Sequence, residues 1–426
     1  MGHALRAVAS LLVGVAILML GNGLLNIVLP IRLTQAALPT EITGLVMAAQ
    51  FGGLVVGSIY CKAIIARVGH IRAFAAFAAI TAAAALAYAL LFSPVTWGLL
   101  RFVSGFCMAG LFAAIESWIN ERSSNEMRGQ VLSLYMITNY FSLTLSQFLI
   151  NLWDIGATEL FILPSILISL SLVPVVLTRV SAPEIGRIAP LGFRALYAVS
   201  PLAVIASFCS GISQGSIHGM GAVFAQAIGL SVFEVSLFMG SAIFGGLVLQ
   251  WPVGRLSDRF DRRSVLAWVL VVLTVASAAM VALTVLEAAR PLAALLLIVA
   301  VLAGLSSCIY PIAVAQVFDF IDRERMVAAS SGLVLAYAVG ATGGPFAASV
   351  LMSHGGPQGL FLFIGVVAVL LAAFLVYRMR RRAGLPAAAQ AAFVPVPPMT
   401  AVAGGLDPRT EPQPEPPEPG AGDADS

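Results

Sequence analysis

The feature that most constrains this chain is a series of twelve apolar runs, each about as long as the ~20 residues a helix needs to cross a bilayer. Hydrophobic residues make up 60% of the 426 and charged residues 10%, a composition outside the range of soluble domains. The sequence therefore predicts an all-α membrane protein with twelve transmembrane helices. We place them near 7–31, 42–65, 71–93, 96–118, 130–152, 159–178, 194–219, 231–254, 264–286, 290–314, 327–350 and 358–378.

The pentamer FGGLV occurs twice, at 51–55 and at 244–248, each time in an apolar run that ends in a basic turn. This repetition predicts an internal duplication of six spans. The expected organisation is an N-terminal six-helix bundle at 1–178, a cytoplasmic linker at 179–193 and a C-terminal six-helix bundle at 194–382. The remaining residues, 383–426, are rich in proline and acidic side chains, so they are predicted to form a disordered cytoplasmic tail.

The placement of positive charge predicts the orientation. Apart from Arg32, Arg101 and Arg290, every Lys and Arg before the tail falls on one side of the predicted membrane. Because positive residues collect on the cytoplasmic side, we expect cytoplasmic N- and C-termini in a multi-pass protein of the bacterial inner membrane. The net charge of +3 then reflects membrane orientation, so the expected partner is the lipid bilayer and not nucleic acid.

The fourth apolar run contains two charged residues, Arg101 and Glu116. Each would cost roughly 2.5–3.5 kcal/mol at the bilayer centre, so each needs a partner or water. Arg101 could snorkel to the outer headgroups. Glu116 could form a structural ion pair with Arg67, Arg72 or Arg128, or it could alternately hold a proton and a partner. Their spacing places the two about 22 Å apart along a helix, too far to pair directly.

Amide and aromatic side chains within the spans are the candidates for a solute cavity. Asn22 lies between two glycines, and Gln214 lies in the serine- and glycine-rich stretch SGISQG of the seventh run. Glycine-interrupted segments at matching positions of two halves indicate a midplane binding site, although close packing through small residues is the alternative. The full set of candidate cavity residues is Asn22, Asn26, Gln50, Asn139, Tyr140, Gln214, His218 and Tyr310.

Nothing in the sequence points to catalysis. It has no GxxxxGK[ST] phosphate-binding loop and no His/Cys cluster with metal-ligand spacing. We therefore expect no catalytic residue, no cofactor and no metal site, and no pump driven by ATP within this chain.

Three stretches resemble the major facilitator superfamily. GRLSDRFDRR at 254–263 resembles its cytoplasmic loop motif G-x-L-[AGS]-D-R-x-G-[RK]-[RK], with Asp261 in place of glycine; in the first half Ala66 replaces the motif's acid. RFVSG at 101–105 is similar to the motif R-x-x-Q-G, with Ser104 for glutamine. The stretch IESWINERSSNEMRGQVLSLYMITNYF is similar, more narrowly, to the YcaD-like group, whose substrates are largely unassigned.

The resemblance implies two pseudo-symmetric six-helix bundles that work by alternating access. It also implies that Arg101 takes part in proton coupling and that a closed-state latch depends on Asp258. We expect a monomeric secondary transporter of a small organic solute, coupled to protons and exporting. The alternatives are a uniporter and a transporter-like sensor or scaffold that acts through its tail. The candidate coupling and gating residues are Arg101, Glu116, Asp258, Arg259, Arg262 and Asp319.

Overall fold

A computed structural model describes residues 2–122, 125–177, 193–286, 291–322, 325–381, 390, 393–394, 397–398 and 400. Almost all of the predicted linker lies outside these residues. The helices are α1 (Gly2–Gln35), α2 (Thr40–Val68), α3 (His70–Leu90), α4 (Pro94–Arg122), α5 (Asn125–Ser146), α6 (Glu159–Leu177), α7 (Phe193–Val199), α8 (Pro201–Ala227), α9 (Val232–Arg259), α10 (Arg262–Val285), α11 (Leu292–Phe318), α12 (Met326–Gly355) and α13 (Gly359–Arg381). A 3-10 turn, Leu149–Leu152, follows α5.

The predicted fold class is confirmed. Each predicted span corresponds to one long helix, the short α7 precedes α8, and the described residues contain no strand. Ten of the helices are long and apolar enough to cross a membrane. The other two long helices, α5 and α8, have 22 and 27 residues and carry many of the polar side chains of the central cavity.

The long helices form two bundles that meet along a few helix pairs. Within the first bundle α1 packs against α6 and α2 against α4, and within the second α9 packs against α11 and α8 against α12. The bundles contact each other where α2 packs against α12, α5 against α9 and α1 against α8. The helix ends near 68, 259 and 381 carry many of the arginines, and we call this side of the molecule the basic end.

Each copy of the pentamer FGGLV brings one glycine against the backbone of a neighbouring helix, its third residue (Gly53) in the first half and its second residue (Gly245) in the second half. A Cβ atom on Gly53 of α2 would overlap the carbonyl oxygen of Phe102 on α4, and one on Gly245 of α9 would overlap that of Ala300 on α11. Small residues let helix backbones approach this closely. The pentamer therefore holds the second helix of each half against the fourth, which agrees with an internal duplication.

This packing predicts opposite results for two adjacent glycines. Gly53→Ala should destabilise the protein by about 1–3 kcal/mol, because the added methyl group must push two backbones apart. Gly52→Ala should be neutral or slightly stabilising, since its nearest neighbour, Thr342 Cγ2, would lie 3.7 Å from the new Cβ and alanine favours the helix. Thermal unfolding of the two variants in parallel measures the difference. Equal melting temperatures would show that the contact between α2 and α4 is looser than described.

Candidate functional site

Two adjoining chambers lie between the bundles. The first has a volume of about 150 Å³ and is lined by residues of both bundles; the second, of about 90 Å³, is lined mainly by α5, α8, α9 and α11. The two share wall residues, among them His218, Tyr337 and Pro398. Polar residues of the first chamber are Asn22, Asn26, Gln50, Arg101, Gln147 and His218; those of the second are Asn139, Tyr140, Ser210, Gln214, His218, Gln250, Ser307, Tyr310 and Tyr337.

All eight candidate cavity residues thus lie in one chamber wall or the other. That they bind a solute stays a prediction. Several of their acceptor atoms have no hydrogen-bond partner among the described residues, namely Gln50 Oε1, Asn139 Oδ1 and Gln214 Oε1. Buried acceptors of this kind need donors, and a solute or water in the chambers can supply them.

Arg101 of α4 is a charged group in the wall of the first chamber. It is 3% exposed, so it does not snorkel to the surface. Its Nη1 donates to Asn26 Oδ1 at 2.9 Å, and its Nη2 lies 3.8 Å from the sulfur of Met47. Its Nε has no partner among the described residues, and none of the ion pairs formed within them includes Arg101.

The second chamber is held together by hydrogen bonds between helices. Gln250 on α9 donates to the hydroxyl of Tyr140 on α5 at 2.9 Å, which links the bundles. Gln214 on α8 donates to the carbonyl of Ala303 on α11 at 3.3 Å. The ring of Tyr310 packs edge-on against Tyr337, with centroids 5.4 Å apart.

Glu116 is fully buried near the basic end of α4. The hydroxyl of Tyr135 on α5 donates to its Oε1 at 3.2 Å, and the hydroxyl of Thr400 donates to its Oε2. Lys62 on α2 and Tyr310 on α11 are close enough to interact with it electrostatically. The carboxylate therefore lies where the first bundle meets the second, beside the wall of the second chamber.

The structure tests two of the three ion pairs predicted for Glu116. Arg67 and Arg72 are exposed, and neither forms an ion pair with Glu116 within the part of the chain that the structure describes. The side chain of Arg128 lies outside the described residues.

The predicted gating residues separate into three groups. Arg262, at the start of α10, forms a bidentate ion pair with Asp319 at the end of α11, with contacts of 2.6 and 3.2 Å, and its Nη1 donates to Ser257. Arg259 is exposed. The carboxylate of Asp258 accepts a hydrogen bond of 2.6 Å from the backbone N–H of Phe393 in the tail.

The described residues of the tail contact the helices rather than standing apart from them. The ring of Phe393 covers Gly254, where an added Cβ would lie 2.6 Å from the ring. Pro397 and Pro398 line the chambers, and Thr400 is 2% exposed against Glu116. The prediction of a disordered tail did not include these contacts, although the apolar run FVPVPP before the acidic residues was their signal in the sequence.

The site also contains residues that were not among the candidates. Gln147 and Gln250 are amides inside predicted spans, and this alone could have selected them. Tyr337 lies in the glycine-rich helix α12, and Pro398 lies in the predicted tail. No local pattern pointed to Tyr337, whereas Pro398 belongs to the apolar run FVPVPP.

The fold and the cavity define a class: helical membrane proteins in which two bundles enclose a central cavity. Comparisons with known proteins identify the family within this class. The sequence profile described as Major Facilitator Superfamily matches residues 11–203 and 203–406. The chain is 29% identical over 367 residues to an uncharacterized MFS-type transporter, YcaD, of Escherichia fergusonii, with 85% of this chain and 93% of the relative covered. A YcaD of Salmonella arizonae is 28% identical with the same coverage.

Solved structures agree on the fold. The nucleoside transporter NupG matches with a TM-score of 0.70 at 13% identity, covering 90% of this chain and 100% of that protein. A bacterial homolog of the human lysosomal transporter Spinster, inward-facing and unoccupied, matches with a TM-score of 0.71 at 15% identity, covering 89% and 97%. The chain belongs to the major facilitator superfamily, and it is a multi-pass membrane protein of the transporter type similar to YcaD.

Proposed function

We propose that this protein is a secondary transporter that moves a small organic solute across the bacterial inner membrane by alternating access, coupled to protons and in the direction of export. It works as a monomer, without a cofactor, catalytic activity or a nucleic-acid partner. The observation that carries the proposal is the cavity enclosed by both bundles, with a buried cation, Arg101, in its wall and a buried carboxylate, Glu116, beside it. Rocking of two bundles about such a cavity exposes it to each side in turn.

The two ionisable groups have separate roles in this proposal. Glu116 exchanges a proton near the bundle interface, where Tyr135 of its own bundle donates a hydrogen bond to it and Tyr310 of the other bundle lies within electrostatic range. Arg101 couples that change to the occupancy of the first chamber, since it lies on the same helix and bonds to Asn26 of α1. The basic end faces the cytoplasm, as the distribution of positive residues favours. The ion pair of Arg262 with Asp319 stabilises the C-terminal bundle at the basic end.

The first test is a thermal-shift screen of the purified protein against metabolites and antibiotics at pH 6 and pH 8. A solute at ten times its Kd should stabilise the folded state by about 1.4 kcal/mol. We expect a stabilising compound whose affinity changes with pH, and this change should disappear in Glu116→Gln. Stabilisation that is the same at both pH values in both proteins would favour a uniporter.

The scaffold alternative is tested by removing residues 384–426. A transporter should keep its transport of the identified solute in proteoliposomes, because both bundles remain intact. A scaffold that acts through its tail should lose its cellular role on the same truncation. Loss of transport in a truncated protein that still unfolds cooperatively would contradict the proposal.

A further inference from the structure

We infer that the first chamber binds a small organic anion, with an apolar body and a carboxylate that pairs with Arg101. This inference rests on the proposed function, because it names the class of solute for the same cavity.

The first argument is that the buried charge of Arg101 needs a negatively charged partner. Of its five N–H donors, the contacts within the described residues are one to the neutral amide of Asn26 and one weak contact to a thioether. Removing a guanidinium from water without a counter-charge costs several kcal/mol. Glu116 lies about 22 Å away along the same helix and does not neutralise it. A solute carboxylate supplies both the missing charge and two acceptors in the geometry that a guanidinium prefers.

The rest of the chamber wall determines which chemical groups the remainder of the solute can carry. It consists largely of thioether, aromatic and aliphatic side chains, from Met19, Met47, Phe51, Met108, Phe112 and Met239. A volume of about 150 Å³ matches the size of an apolar cavity that holds one benzene molecule. The chamber therefore fits one ring or a short aliphatic chain, and the methionines adapt to its shape. Asn22 and Gln50 add amide groups to the same wall.

The experiment compares acids with amides of the same shape. Phenylacetate and butyrate, and the amide of each, are titrated against the full chain in nanodiscs at pH 7.5, with thermal stabilisation as the readout. We expect each acid to bind at least about tenfold more tightly than its amide, a difference of about 1.4 kcal/mol. Arg101→Gln should bind acid and amide equally, and Arg101→Lys should keep part of the preference because its charge is retained.

Arg72→Gln is the matched control, because it removes one positive charge from an exposed position and should keep the full preference. Equal binding of acid and amide to the wild type, or an unchanged preference in Arg101→Gln, overturns the inference. The outcome is separate from the proposed function. Binding of the acid without transport would reject the proposed transporter and support the anion site. Transport of acid and amide at equal rates would support the transporter and reject the anion site.

A second proposal comes from a different observation, the position of the tail. We propose that the tail, through Phe393, Pro397, Pro398 and Thr400, occupies the cavity and competes with the solute. Gly254 and Asp258 are four residues apart on one face of α9 and hold Phe393 by its ring and its N–H. Further along, Pro398 lines both chambers, and Thr400 reaches Glu116 of the other bundle. These contacts connect the loop motif of the second half to the interior of the cavity.

The test measures how fast a cysteine in the second chamber reacts with N-ethylmaleimide. Ser307→Cys is made in a background whose four native cysteines are replaced by serine. A chain that ends at residue 389 should react at least about threefold faster than the full chain, because the cavity is open more of the time. Thr400→Val, which removes the hydroxyl and keeps the full tail, should also react faster. Thr410→Val is the control and should react at the rate of the full chain. Equal reaction rates for the full and shortened chains would overturn the proposal.

Discussion

Glu116→Gln is expected to lower transport driven by a pH gradient by at least about tenfold, the size of effect typical when a proton-transfer group is removed. Glutamine has the shape of the protonated acid and can still accept a hydrogen bond from Tyr135, but it cannot exchange a proton. The variant should therefore fold and should equilibrate solute down its own gradient. The measurement is uptake into proteoliposomes with and without an imposed pH gradient.

The control for this variant is Glu159→Gln, at the exposed start of α6, which should transport like the wild type. The cavity is not expected to change, because the carboxylate bonds to Tyr135 and Thr400 and does not line either chamber. Gradient-driven transport at the wild-type rate in Glu116→Gln would show that another group carries the proton.

Arg262→Ala should destabilise the protein by about 3–5 kcal/mol, because it leaves the carboxylate of Asp319 buried without its guanidinium. Both side chains of this pair are almost fully buried, 1% and 2% exposed. The pair joins the start of α10 to the end of α11, so its loss loosens the basic end of the C-terminal bundle. Unfolding in denaturant, followed by tryptophan fluorescence, measures the change.

Two further variants separate the ion pair from general effects of substitution. Arg263→Ala removes a neighbouring arginine whose ion pair with Asp261 is longer, at 3.7 Å, so it should destabilise the protein less than Arg262→Ala. The double variant Arg262→Met with Asp319→Leu should recover much of the loss, since apolar side chains can replace a buried pair. If Arg262→Ala and Arg263→Ala unfold alike, the buried pair does not stabilise this bundle.

Much of the architecture followed from physical rules that act locally. Each span was visible because a helix in lipid needs a long apolar run, and FGGLV marked the duplicated helix pair because close packing needs glycine. The cavity residues were found for a related reason. A side chain such as Asn139 or Gln214 inside a span must face protein or water, and in this fold the interior between the bundles is where such residues meet.

What the sequence left open was the pairing of residues far apart in the chain. The bond from Arg101 to Asn26 spans 75 residues, that from Gln250 to Tyr140 spans 110 and that from Thr400 to Glu116 spans 284. Such contacts depend on how helices rotate and cross, which hydrophobic periodicity does not specify. For the same reason Arg262 and Asp319 were both candidate gating residues, but their ion pair emerged only from the packing of α10 and α11.

The most direct test of the central claim, proton-linked alternating access, needs no solute. Spin labels are placed at Leu45 and Leu351, on α2 and α12 away from the basic end, and in a second sample at Leu134 and Leu256, on α5 and α9 near it; all four positions are exposed. Distances are measured by double electron–electron resonance at pH 6 and pH 8, in a background without the native cysteines.

We predict that the two distance distributions shift in opposite directions with pH, because closing one end of the cavity opens the other. Glu116→Gln should hold both pairs in the low-pH distribution at either pH. Distributions that do not change with pH in the wild type, or that change equally in Glu116→Gln, would contradict the claim.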